Sequence, residues 1–452
     1  MHDPRAANIR RLQNEAFDFL VIGGGINGAG IARDLTLRDA GVKVALVEKN
    51  HFASGTSGKN SQLIHGGLRY LKYLEFHLVH EALRERATLL RIAGELVTPL
   101  EFLIPCYNAF DKPFYGIGLT LYDALAGKNS LGAHKSQNTA ETIKSEPDLA
   151  KEGLRGGLRF YDCRVNSARL VLENVLDAEA RGAAIANYVE VEVNGKQIEA
   201  RDTLTGERFS IGARKIVDAT GAWSNGAPLR LVRGSHLIFP QINRGPEAIA
   251  YFDEKGRIVF LIPWGESGNL TLVGTTDVDH HDGAGRVHIS DEETAYLKAI
   301  VHRLFPSYTG EPVSSYSSLR PLIAEDGRSA TSTSREHKIW ETNDGILHIA
   351  GGKYTTYRQM SEELVDMLVR KPCRTAETPL NIVTPRADPM ERVRMAVERE
   401  YARKLYDLLY VSTYWGYERR LDPDWTGPLE REMQSIIAGM KTTDTPDGLS
   451  SR

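Results

Sequence analysis

Four glycines in the pattern Gly23-Gly24-Gly25-Ile26-Asn27-Gly28 stand between an apolar run, Phe17 to Ile22, and a helix-like stretch, Ala29 to Leu35. Strand, tight turn and helix in that order form a cradle for a pyrophosphate. Gly23 allows the turn, Gly25 lets the backbone approach the anion, Gly28 lets helix and strand pack, and the helix N-terminus offers unpaired N–H groups. A second strand-like run, Lys43 to Val47, ends at Glu48, 20 positions after Gly28. An acid there takes the two hydroxyls of an adenosine ribose and repels a 2′-phosphate. Asn27 lies at the anion-facing turn. Thr56, Ser57 and Ser61, in a small polar loop after Glu48, are hydroxyl donors for the same pyrophosphate, although loop hydroxyls serve equally as caps or turn formers.

The elements that position this turn are spread along the chain. Lys215 to Asp218 runs into Ala219-Thr220-Gly221, and Gly345 to Ala350 runs into Gly351-Gly352-Lys353. A nucleotide-binding domain assembled from three stretches is expected at 15–95, 155–230 and 325–375. The alternating segments Arg257 to Trp264 and Leu270 to Thr275 read as strands of a largely antiparallel second sheet. That sheet, with 96–154 and 231–324, is the expected substrate domain. Glu75 to Leu96 carries apolar residues at helical spacing and reads as an amphipathic surface helix. A charged helix is expected from Met390 to about Leu409, then an aromatic patch at Tyr410, Tyr414, Trp415 and Tyr417, and a polar disordered end from Lys441. The fold class is α/β, a Rossmann-like domain plus an antiparallel sheet domain and a short helical C-terminal region at 376–452.

At 452 residues the chain exceeds one core, and 56 Lys+Arg against 59 Asp+Glu exclude non-specific nucleic-acid binding as its main activity. No apolar run reaches the roughly 18 residues needed to span a bilayer, and the polar N-terminus lacks a signal-peptide core. A cytoplasmic protein is expected. The three cysteines, without CxxC spacing, suggest packed thiols and neither disulfides nor a metal site.

A nicotinamide enzyme needs only the first βαβ unit, whereas this chain adds the distant Ala219-Thr220-Gly221 and Gly351-Gly352 turns, the further contacts of an extended FAD. At these residues the chain resembles the FAD-dependent glycerol-3-phosphate dehydrogenases of the bacterial aerobic and mitochondrial type. The resemblance continues through Leu63-Ile64-His65-Gly66-Gly67-Leu68-Arg69-Tyr70-Leu71, Arg233-Gly234-Ser235-His236, Gly274-Thr275-Thr276-Asp277-Val278, Leu319-Arg320-Pro321-Leu322 and Thr355-Thr356-Tyr357-Arg358. It implies that FAD takes a hydride from C2 of sn-glycerol 3-phosphate, giving dihydroxyacetone phosphate, and that electrons pass to a membrane quinone. Peripheral membrane contact and a homodimer accompany that reading. The rivals are an FAD-dependent oxidase or dehydrogenase of another small hydroxy or amino compound, and a flavin-binding protein without turnover.

The resemblance also implies roles. Arg320, Arg335 and Arg69, with Tyr70 beside it, match substrate-pocket positions, and guanidinium forks suit phosphate oxygens. Lys353 would set its ammonium near the flavin N1–C2 edge. His236 is the leading candidate to take the C2 hydroxyl proton, because imidazole titrates nearest neutral pH, with Arg320 and Lys353 as rivals. His65, Gly66, Gly67, Thr220, Gly221, Gly352 and Thr355 complete the expected cofactor set, beside Gly23, Gly25, Asn27, Gly28, Glu48, Thr56, Ser57 and Ser61.

Three departures stand out. Family members usually carry a serine-rich loop ending in lysine before Leu-Ile-His-Gly-Gly, where this chain reads Ser57-Gly58-Lys59-Asn60-Ser61-Gln62, with the positive charge at Lys59. They tend to have two aspartates before Ala-Arg-Leu, where Asn166-Ser167 stand here. The C-terminal region is also shorter than the family's helical cap, about 75 residues after Thr375. Its basic stretch, Arg392 to Lys404, is read either as a solvated helix with a packed aromatic end or as a contact for anionic lipid.

Overall fold

The computed structural model describes residues 3–195, 197–226, 229–266, 268–285, 287–324, 336–383, 388–418 and 421–440, without the side chains of 72 and 73. Arg335 and the expected disordered end from Lys441 lie outside the described residues.

The buried run Ala16–Ile22 forms an inner strand of a six-stranded sheet. Val44–Glu48 and Gly212–Asp218 flank it in parallel, and Ala184–Asn187 and Leu347–Gly351 extend the sheet on either side. His337–Glu341 closes one edge as an antiparallel strand. Phe19, Val21 and Leu46 pack against helices Ile26–Leu37, Ser167–Ala180 and Tyr357–Leu368 through Ile31, Leu35, Val171 and Leu364. Leu20, Ala45 and Val47 on the opposite face are covered by a three-stranded sheet, through Val189, Ile198 and Ala200. The same face receives an N-terminal helix, Pro4–Asn14, which the polarity of these residues concealed. Asp3 caps it and Arg5 closes a buried ion pair with Asp202 at 3.0 Å.

The larger sheet has ten strands, eight along its main path and two paired beside it, and is mostly antiparallel. Leu229–Pro240 pairs with both Leu270–Gly274 and Ser314–Ile323, and Val97–Pro105 pairs with Gly157–Val165. The strand Gly157–Val165, expected with the nucleotide-binding part, therefore lies in the larger sheet, because its apolar residues Leu158, Phe160 and Val165 pack beside Phe102 and Ile104. Glu75 to Leu96 contains the helix Phe76–Ile92, with Val79, Leu83 and Leu89 turned inward.

In the C-terminal region one long helix does not form. Pro389–Glu398 ends where Glu400 pairs with Arg169 and Tyr401 turns into the interior, its hydroxyl accepting from Asn8 Nδ2 at 2.8 Å. The basic stretch faces protein. Arg392 lies over Trp415, Arg403 pairs with Asp3 at 2.6 Å, and Lys404 lies over Tyr188. Tyr414, Trp415 and Tyr417 are buried, so the packed aromatic end is the reading that holds.

Candidate active site

The carboxyl end of Ala16–Ile22 opens into a cavity of about 530 Å³, within the range of cofactor sites. Gly23 has φ +112°, and a Cβ there would come 2.6 Å from the Ala219 carbonyl oxygen. A Cβ on Gly28 would overlap the Gly23 carbonyl oxygen, so this glycine sets the strand–helix distance and does not itself line the cavity. Glu48 Oε2 accepts from Gly24 N at 2.7 Å and Oε1 from Asn50 N at 2.9 Å. Burial raises its carboxyl above the ordinary range while these N–H groups pull it back. Its oriented carboxylate lies on the cavity wall, where it can accept from a pair of hydroxyls.

The loop hydroxyls behave differently from one another. Ser57 Oγ accepts from Ile26 N at 2.9 Å, the place a pyrophosphate oxygen takes at the start of Ile26–Leu37. Thr56 lines the cavity, but its hydroxyl donates to Leu319 O at 2.6 Å and ties the loop to the larger sheet. Ser61 Oγ pairs with His236 Nε2 at 2.9 Å. Gly25, Asn27, Thr220, Gly221 and Gly352 line the same cavity, Gly221 and Gly352 at φ +63° and +76°. A glycine-walled trough with a ready helix N-terminus, hydroxyls and a ribose-facing carboxylate fits FAD.

Besides Gly28, three expected cofactor residues, Gly66, Gly67 and Thr355, do not line that trough. Gly66 N–H points into the interior, toward Tyr122 Oη at 2.8 Å and Asp162 Oδ1 at 3.3 Å, where Arg86 also pairs with Asp162. The Thr355 hydroxyl is bonded to the backbone of His65, 3.1 Å from its N and 3.2 Å from its O, and so clamps the loop. His65 itself lines the cavity, with burial pushing its imidazole below the ordinary value. Gly67, at φ +82°, lines a smaller adjoining cavity of about 140 Å³.

Ser61, Leu63, His65, Tyr70 and Arg320 border both cavities. His236 and Arg320 are presented by neighbouring strands, His236 opposite Tyr316 and Arg320 opposite Val232. A Cβ on Gly274 would overlap the imidazole and one on Gly234 the guanidinium, so both glycines let these side chains lie flat on the sheet. Arg320 donates to Asp277 at 2.7 Å, Thr275 Oγ1 at 2.8 Å and Thr276 O at 3.1 Å. Arg69 reaches the other oxygen of Asp277 at 3.1 Å. Two guanidiniums thus converge on one carboxylate, Asp277, which the sequence reading passed over although it stands in the Gly274-Thr275-Thr276-Asp277 segment.

Lys353 Nζ lies 4.1 Å over the Tyr70 ring and donates to Leu78 O at 3.0 Å, on the wall of the main cavity. His236 is buried, and burial first, then the Arg320 charge, pulls its imidazole down to about 3. It is accordingly neutral at ordinary pH. Trp223, with Lys49 4.6 Å over its ring, is a further wall residue that sequence reasoning missed, although it stands two positions after Gly221. Among the described residues no metal-binding cluster exists.

Residues 18–358 match the family model described as FAD dependent oxidoreductase. The chain is 37% identical over 406 residues to an aerobic glycerol-3-phosphate dehydrogenase of Staphylococcus haemolyticus, covering 82% of this chain and 72% of the relative. It is 39% identical over 418 residues to a glycerol-3-phosphate dehydrogenase of Synechocystis, covering 82% and 74%. The crystal structure of the glycerol-3-phosphate dehydrogenase from Bacillus halodurans complexed with FAD superposes with a TM-score of 0.76 at 26% identity, covering 98% of this chain and 95% of that one. The chain belongs to the FAD-dependent oxidoreductases, within their glycerol-3-phosphate dehydrogenase family, and its cofactor is FAD.

Proposed function

We propose that the protein oxidises sn-glycerol 3-phosphate to dihydroxyacetone phosphate, with the six-stranded sheet as the cofactor part and the larger sheet as the substrate part. The observation that carries this is the convergence of Arg69 and Arg320 on Asp277 beside the cavity wall that holds His236. When bound, FAD supplies the redox chemistry by accepting the hydride from C2. Arg320 and Arg69 bind the phosphate dianion bidentately and so fix where C2 stands. His236 takes the C2 hydroxyl proton at Nε2 as the hydride departs. Lys353 adds positive charge to the wall where electron density accumulates.

Anaerobic mixing of the yellow protein with sn-glycerol 3-phosphate tests this. Bleaching of the flavin absorbance is expected with the phosphate ester and not with glycerol or a hydroxy acid; bleaching by a control alone overturns it. The pH dependence of that rate carries a second expectation. An ordinary histidine gives an acid limb near pH ~6.5, whereas burial and Arg320 move the His236 limb well below it. The rate ratio of wild type to His236→Asn should therefore stay flat from about pH 8 to about pH 5, the phosphate's own ionisation near pH ~6 being common to both. A flat ratio near one would place the proton elsewhere, and a ratio that falls tenfold per unit below pH ~6.5 would show His236 titrating as an ordinary histidine.

The proposal extends to a quinone as acceptor and to peripheral membrane contact. No helix among the described residues is long and apolar enough to cross a membrane. Support comes from helix Asp111–Ala126, whose outer face leaves Phe114 62% and Ile117 73% exposed, with Phe110 at 83% before it and Leu74 at 72% alongside. Such a face suits shallow burial in a lipid surface. Phosphatidylglycerol vesicles carrying a short-chain quinone should accelerate turnover of the wild type several-fold and leave Phe114→Glu/Ile117→Glu at its vesicle-free rate. Equal acceleration of both removes this helix from the contact.

A further inference from the structure

We infer that Tyr414, in the C-terminal region, is a positioning residue for His236, acting through Gln62 and Ser61. The inference rests on the proposed role of His236 and concerns a residue remote from the cavity in sequence.

His236 is held at one polar atom. Nε2 lies 2.9 Å from Ser61 Oγ, while Nδ1 is buried with no hydrogen-bond partner among the described residues. The orientation of the imidazole, and which nitrogen keeps its lone pair, thus depends on where Ser61 stands. Ser61 is in turn placed by the residue that follows it. Gln62 adopts φ +56°, a left-handed conformation that a non-glycine residue keeps only when its surroundings impose it.

Those surroundings are hydrogen bonds. Gln62 N donates to Asn60 Oδ1 at 2.8 Å, its carbonyl accepts from Val165 N at 2.9 Å, and its amide Nε2 reaches Gly58 O at 3.2 Å. Gln62 Oε1 accepts from Ser167 N at 3.0 Å, Ser167 Oγ at 2.9 Å and Tyr414 Oη at 2.9 Å. The Tyr414 hydroxyl also lies 2.8 Å from Asn166 Oδ1, so it shares one proton between the two carbonyl oxygens and locks them together. Gln62 is 2% exposed, and without the Tyr414 hydroxyl its amide oxygen keeps the two Ser167 donors but loses its tie to the C-terminal segment. The same C-terminal segment supports the ring from a second side. Tyr417 packs 5.3 Å from Tyr316, which lies 4.9 Å from His236 and donates to Asn60 O at 2.6 Å.

Tyr414→Phe removes the hydroxyl and keeps the ring against Trp264, 4.9 Å away. In the FAD-loaded protein it should retain flavin content, melting temperature and KM for sn-glycerol 3-phosphate, and lower kcat roughly tenfold, the scale of a modest misplacement. Ser61→Ala should lower kcat by a similar factor, and Tyr414→Phe should add almost nothing in that background, because both act on one ring. Additive losses, or an unchanged kcat in Tyr414→Phe, overturn the inference. A readout without substrate separates it from the proposed function. In spectra of protein labelled with 15N-histidine, the His236 signal, assigned by its loss in His236→Asn, should shift in Tyr414→Phe. An unmoved signal sinks the positioning role whatever the substrate. A wild-type flavin that sn-glycerol 3-phosphate fails to bleach, beside a shifted signal, sinks the function and leaves the positioning intact.

Discussion

Arg320→Ala is expected to lower kcat/KM for sn-glycerol 3-phosphate about 1000-fold, equivalent to roughly 4 kcal/mol. The guanidinium is already held by Asp277, Thr275 and Thr276, so substrate binding spends little on ordering it. Removing it does more than delete an attraction. Asp277, only 6% exposed at its side chain, keeps its pair with Arg69 at 3.1 Å but loses the Arg320 charge, and would then repel the arriving dianion more strongly. Both kcat and KM should therefore suffer, since the clamp that binds phosphate also fixes C2. Asp277→Asn in the same chain should recover part of the loss by removing the repulsion. Arg320→Lys should recover less than full activity, because a point charge does not reproduce the fork. Loss of the Arg320 charge also removes one depressing influence on His236, so any acid limb that histidine contributes moves upward in pH. Steady-state kinetics at equal flavin content check all three variants; an unchanged kcat/KM in Arg320→Ala removes this residue from the substrate site.

Where sequence was informative, the interacting residues were neighbours in the chain. The glycine turn and Glu48 belong to one βαβ unit, and a strand, a turn and an acid at set spacing admit few geometries. Gly66 and Thr355 were assigned to the cofactor from equally specific segments, yet nothing in those segments says which way an N–H or a hydroxyl points. The Gly66 N–H is claimed by Tyr122 from a helix 56 positions away, and Thr355 by the backbone of His65, 290 positions away. Asp277 was overlooked for the complementary reason, since a carboxylate counts as a site residue only once the cations facing it are known. Two of the departures from the family pattern meet in one contact. Gln62, in the first, and Ser167, in the second, 105 positions apart, are hydrogen-bonded to each other, and Tyr414 from the C-terminal region completes the group. A pattern read along the chain lists such changes separately, and only the fold shows that they meet.

Gly28→Ala is expected to yield a protein without bound FAD and with a lowered melting temperature. The added Cβ would overlap the carbonyl oxygen of Gly23, and neither side can retreat. Gly23 N donates to Val47 O at 2.8 Å, its backbone is pressed against Ala219, and it ends an inner strand of the sheet. On the other side, Ala29, Ile31, Ala32 and Leu35 are buried along helix Ile26–Leu37. Overpacking against two backbones belongs at the upper end of the usual cost, about 3 kcal/mol or more, and relief by sliding the helix would withdraw the Ile26 N–H from the anion. Gly25→Ala isolates the second effect. Its Cβ would meet only the Ser57 side chain, whose hydroxyl at 3.0 Å can give way by a few tenths of an ångström while still accepting from Ile26 N, so the fold and melting temperature of the ligand-free protein should be kept. The methyl group nevertheless occupies the face where the backbone must approach the pyrophosphate, and FAD affinity should fall at least 100-fold, measured by flavin fluorescence quenching. If Gly25→Ala binds FAD as tightly as the wild type, the turn is not the pyrophosphate cradle, and the loss in Gly28→Ala would have to be ascribed to folding alone.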